Sequence, residues 1–163
     1  MDATAATILI GIGATALIDL WALVRRGLLG VAVPDYGLVG RWLAHMPRGR
    51  FRHESIASAS PVPGERALGW TAHYLIGITY AAILPGLWGA GWLAQPTLAP
   101  ALAVGIGTVA APFLLMQPGM GAGIAASRTP HPAAARLHSL VMHAIFGFGL
   151  YACARLLASL DMT

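Results

Sequence analysis

Four separate stretches of about 20 residues carry at most one charged residue each, and no other feature limits the fold of this chain so strongly. A helix that crosses a bilayer needs about 20 apolar residues, because its backbone polar groups find no water there and must bond to one another. The stretches are residues 3–24, 68–87, 98–116 and 137–157. Of the 163 residues, 57% are hydrophobic and 10% charged, against about 25% charged in a soluble domain. The expected fold class is therefore all-α: a single membrane domain over residues 1–163, with four transmembrane helices. The first stretch is expected to stay in the protein. It opens near Asp2, lacks a basic leader and exceeds the length of a signal-peptide core. Pro85 and Pro112 lie inside stretches, where neighbouring helices can satisfy the carbonyls they free.

Arginine placement predicts an orientation. The connection 25–67 holds Arg25, Arg26, Arg41, Arg48, Arg50, Arg52 and Arg66, the connection 88–97 none, and the connection 117–136 Arg128 and Arg136. The positive-inside rule puts the first and third connections in the cytoplasm and both termini outside. Arg155, near the outer end of the fourth stretch, runs against this trend. Trp21 and Trp70 are expected at the inner interface, Trp88 and Trp92 at the outer one. The net charge of +4 is tied to one connection between apolar runs, which points to anionic lipid headgroups rather than nucleic acid. The single cysteine, Cys153, cannot form an internal disulfide and reads as a small core residue.

Within the long connection, Leu38, Val39, Trp42, Leu43 and Met46 repeat at helical spacing, with Arg41 and His45 on the other side. The pattern predicts an amphipathic helix in the headgroup plane, capped by Asp35. The run "PRGRFRHESI" that follows reads as a solvated loop or as an anionic-lipid contact through Arg48, Arg50 and Arg52.

The chain also echoes itself. "GIGATALID" in the first stretch resembles "GIGTVAAPF" in the third, and "HYLIGITY" in the second resembles "HAIFGFGLY" in the fourth. Two parallel helix-hairpin repeats would produce this order. Small residues let helix backbones approach in lipid, where no hydrophobic force drives helices together. Gly11, Thr15 and Asp19 form one i, i+4 ridge; Gly69, His73 and Gly77 form a second; Ser139, His143 and Gly147 form a third. Counted from the inner ends of their stretches, Asp19, His73 and His143 lie roughly 7–9 Å deep. Ionisable groups at such depth are costly and mark candidate sites. The expected ligand-binding set is Asp19, Glu65, His73, Gln117 and His143, and the expected metal set is His73, His143 and Asp19. The competing reading is that these groups bond to one another or to carbonyls and hold the helices together. Met116 and Met120 beside histidines would suit copper.

"MQPGMGAGIAASR" places Gly119, Gly121 and Gly123 ahead of Arg128. Its amides can cradle a phosphate or headgroup, or the segment is a tight turn returning the chain to the membrane. It has neither the strand nor the lysine of a nucleotide loop, and no HExxH, GxSxG or cysteine pair occurs in the chain.

The blocks "GRWLAHM", "GRFRHESI", "GERALGWTAHYLIGI", "QPGMGAGIAASRTP" and "SLVMHAIFGFGLY" resemble the bacterial domain-of-unknown-function family 2938, over roughly residues 8–155. The resemblance implies an inner-membrane location and four spans, and implies no activity. The function expected from the residues is binding of a small ligand or ion at a polar site open to the cytoplasm, by a small carrier or accessory protein. A membrane enzyme using the histidine–carboxylate cluster with a transition metal or haem is one alternative. The other is a structural subunit, partnered by a second copy or a larger membrane complex.

Overall fold

The computed structural model describes residues 1–161, so the last two residues of the expected domain lie outside it. Helices α1 (Ala3–Leu29), α2 (Tyr36–His45), α3 (Glu65–Trp88), α4 (Gly91–Ala94), α5 (Leu98–Gly107), α6 (Gln117–Met120) and α7 (Pro132–Asp161) follow in order, with no strand among the described residues. Four helical stretches, Ala3–Leu29, Glu65–Trp88, Leu98–Met120 and Pro132–Leu160, are long and apolar enough to cross a membrane.

Local chemistry sets the helix ends. Asp2 accepts the Ala5 N–H at 2.8 Å and opens α1, which stops at Gly30 in a left-handed conformation, φ 66°. Asp35 accepts the Gly37 N–H at 2.9 Å and opens α2 as expected. Pro132 occupies the first turn of α7, where its missing N–H costs nothing.

The third stretch departs from a plain helix. α5 ends at Gly107, and residues 112–116 form a wider π-type turn before α6. Pro112 has no N–H to offer the carbonyl four residues back, and the helix accommodates the gap by widening.

The residues group into two compact units. The first comprises residues 1–33, 74–108 and, among the described residues, 141–161. Its core is Ile10, Ala14, Ala81, Leu84, Trp92, Ala101, Val104, Phe146, Leu150 and Ala154. Trp92, expected at the outer interface, is buried within this core at 5 % exposure. α4 turns its ring into the core, while Trp88 stays exposed. Glycines set the helix spacing. A methyl on Gly11 would meet the Ile78 Cα at 2.5 Å, and one on Gly77 would strike the Thr15 hydroxyl. A methyl on Gly105 would meet the Gly147 Cα at 2.5 Å. Thus α1 closes on α3, and α5 on α7, through the first glycine of each "GIG" and the glycine four residues after each histidine.

The second unit comprises residues 34–73 and 109–140. Here α2 packs with its small and polar face inward: Gly37, Gly40 and His45 are buried. A methyl on Gly40 would strike the Glu65 carbonyl, and one on Gly69 the Tyr36 carbonyl. Arg41 and His45, read as lying opposite the apolar stripe, meet Glu65 and the Ser60 carbonyl within this unit. Two glycines bring the backbones of α2 and α3 together, and the polar groups between them pair.

Candidate functional site

The second unit is bound together through its arginine-rich connection. Arg41 donates to both carboxylate oxygens of Glu65, at 2.8 and 2.7 Å. Its third nitrogen donates to the carbonyls of Ile56, Ala57 and Ala59. Glu65 also accepts the Val62 N–H at 2.9 Å. The Glu65 hydrogen bond raises the Arg41 pKa above its ordinary value, against the opposing effect of burial, with the charges of Glu65 and Asp35 adding to it. Expected as a ligand contact, Glu65 is committed to this pair.

The connection is tied to the segment after the π-type turn. The His53 N–H donates to the Gly119 carbonyl at 2.9 Å. Trp42 donates from Nε1 to the Phe51 carbonyl at 3.0 Å, and its ring lies over Gly119. Gly121, at φ 99°, presses against the Glu54 carbonyl. The next turn is tight: Ala122 N–H bonds Gln117 O, and Arg128 N–H bonds Ala122 O, both at 2.8 Å. Ala125 and Ala126 adopt positive φ, 46° and 57°, unusual for residues with a Cβ. Arg136 holds the Ala125 carbonyl at 2.8 Å, and Thr129 holds that of Ala126.

Between these segments lies a cleft of about 450 Å³ lined by Arg52, His53, Glu54, Pro118, Gly123, Ile124, Ser127 and Arg128. It unites Arg52, Gly123 and Arg128 from the expected anion-contact set. Gly119 and Gly121 serve instead as close-packing points under Trp42 and Glu54, and Arg48 and Arg50 are exposed. The guanidinium groups of Arg52 and Arg128 form no hydrogen bond or ion pair with the described residues. Two such groups beside a hydroxyl can grip a phosphate or carboxylate by charge-assisted bonds. The carboxylate of Glu54 favours a ligand that also carries an amine or hydroxyl.

The intramembrane candidates have their own partners. Asp19 accepts from the Tyr74 hydroxyl at 2.9 Å. Nδ1 of His143 lies 3.0 Å from the Gly105 carbonyl and 3.2 Å from the Thr108 hydroxyl. The ring of His73 stacks on Tyr36, centroids 4.0 Å apart, with Trp70 edge-on to both. Gln117 reaches Ser139 at 3.5 Å. Among the described residues no three His, Cys, Asp or Glu side chains are arranged to hold a metal ion. Of the expected set, Asp19 is oriented by Tyr74, His143 by Gly105 and Thr108, and His73 by Tyr36. Sequence reasoning missed Tyr74, although it shares the depth of His73. It also missed the Arg41–Glu65 pair and the contact of His45 with His53, for which the sequence carries no spacing signal.

Four apolar helices of crossing length and a polar, arginine-rich unit define a polytopic all-helical membrane protein. The chain belongs to the family described as "Protein of unknown function (DUF2938)", whose family model matches residues 8–157. No curated protein and no solved structure matches it.

Proposed function

We propose that this protein resides in the bacterial cytoplasmic membrane and binds a small anionic ligand in a cleft facing the cytoplasm, as a small carrier or accessory membrane protein. The observation that carries this reading is the cleft itself. Arg52 and Arg128 come from distant segments, line one concavity and form no ion pair among the described residues. Arginine counts in the connections support the cytoplasmic orientation and, with it, periplasmic termini. The ligand chemistry is a phosphate or carboxylate group, on a free solute or on a lipid headgroup.

The test uses the full chain in detergent and in nanodiscs. Inorganic phosphate binding is measured by calorimetry, and retention of anionic against zwitterionic lipids by native mass spectrometry. A charge-assisted hydrogen bond contributes about 1.5–3 kcal/mol, so Arg52→Ala and Arg128→Ala should each weaken binding about tenfold or more. Phosphate binding identifies a solute site; selective retention of anionic lipid without it identifies a headgroup site. If the double variant binds both ligands as the wild type does, the reading is wrong.

A further inference from the structure

His45 and His53 flank the turn at Met46–Arg48, and their rings meet edge to face with centroids 5.1 Å apart and planes at 78°. His45 is only 4 % exposed. Its Nε2 lies 3.1 Å from the Ser60 carbonyl. A carbonyl only accepts, so Nε2 carries the proton and Nδ1 of the neutral ring presents a lone pair. That Nδ1 is buried without a hydrogen-bond partner, and so is Nε2 of His53. Buried polar atoms without partners are exceptions that require a physical account, an ion or a water among them.

The geometry favours an ion. An imidazole that binds a metal ordinarily donates its other N–H to a carbonyl or carboxylate, which fixes the tautomer and aims the ring. His45 has that bond already, to Ser60. With metal–nitrogen bonds of about 2.0–2.1 Å and tetrahedral angles, two imidazoles on one metal place their centroids roughly 5 Å apart. The observed separation agrees. His53 also lines the cleft, which gives an ion a path in from solvent.

We infer that His45 Nδ1 and His53 Nε2 form a two-nitrogen site for a divalent transition-metal ion, with water or an anion from the cleft completing its coordination. Among the described residues no third His, Cys, Asp or Glu joins them, so the site is open rather than a closed structural one. Imidazole ligands should rank the ions Cu²⁺ above Ni²⁺ above Co²⁺.

The experiment uses the full chain in detergent, with any affinity tag removed and the protein stripped with chelator. Co²⁺ is titrated by visible absorption, and Cu²⁺ is followed by electron paramagnetic resonance. The expected result is one ion per chain with two nitrogen ligands. His45→Gln and His53→Gln should each lower affinity at least tenfold, while His131→Gln, on the exposed loop before α7, should leave it unchanged. If His45→Gln does not fold, His53→Gln and the wild-type nitrogen signature decide the matter. A wild-type Cu²⁺ spectrum without two nitrogens, or His53→Gln binding as tightly as wild type, overturns the site and leaves a bridging water as the occupant. Metal binding by the Arg52→Ala, Arg128→Ala double variant reads this site separately from the anion cleft.

Discussion

Arg41 spends its guanidinium on one carboxylate and on three carbonyls of a single turn. That geometry requires the planar fork of arginine. Lysine would keep the charge but could not address the carboxylate twice and the turn at once. The residues that Arg41 holds belong to a connection with little regular structure, whose local opening governs its access to proteases. Arg41→Gln should therefore raise the rate of tryptic cleavage at Arg48, Arg50 and Arg52 several-fold, with Arg41→Lys intermediate. Glu65→Gln should act similarly, and the double variant should add little, because the two side chains form one network. Timed digestion with mass mapping of the cut sites checks this. Cleavage unchanged in all variants would mean that the 56–62 turn is held by other contacts.

At the scale of elements, glycines rather than large apolar residues decide how the helices approach. Lipid is as apolar as a leucine side chain, so close contact between backbones must supply the attraction. The Gly11–Gly77 and Gly105–Gly147 contacts occupy equivalent places in the two halves of the echo. Overpacking a tight contact costs about 1–3 kcal/mol. Gly105→Ala and Gly77→Ala should each destabilise by that amount, whereas Gly107→Ala should be near neutral, since nothing lies within 4 Å of a methyl there. Denaturation in mixed micelles, followed by circular dichroism, measures the three. A Gly107→Ala loss equal to that of Gly105→Ala would show that helix flexibility, not spacing, is at stake. Of the two echoed histidines, His143 meets the Gly105 carbonyl, and His73 stacks on the Tyr36 ring of α2.

For the whole molecule the test is topological. The connection 25–67 carries seven arginines and 88–97 none, so fusions of a periplasm-active reporter at either terminus and in 88–97 should be active. Fusions at residues 50–60 and 121–130 should be inactive. A cytoplasmic carboxyl terminus would contradict the four-span reading. The same orientation would place the Arg52–Arg128 cleft and the His45–His53 pair on the side where cytoplasmic solutes and anionic lipids reside.

The number of crossing helices, their caps and their small-residue faces were legible in the chain. Each depends on residues within a turn or two of one another: a run of apolar side chains, Asp35 ahead of a helix, glycines at i, i+4. Pairing between distant segments was not. Depth matching brought Asp19 to the level of His73, but nothing in that matching indicated that the Tyr74 hydroxyl donates to Asp19. Hydropathy put Arg41 and His45 on the side of α2 opposite its apolar stripe. The close approach at Gly40 and Gly69 brings that side against α3, where the half-buried Arg41 guanidinium finds a carboxylate and carbonyls in place of water. The rotation of each helix about its axis and the path of the 46–64 connection come from packing alone. They decided which arginines share a cleft and which two histidines share a contact.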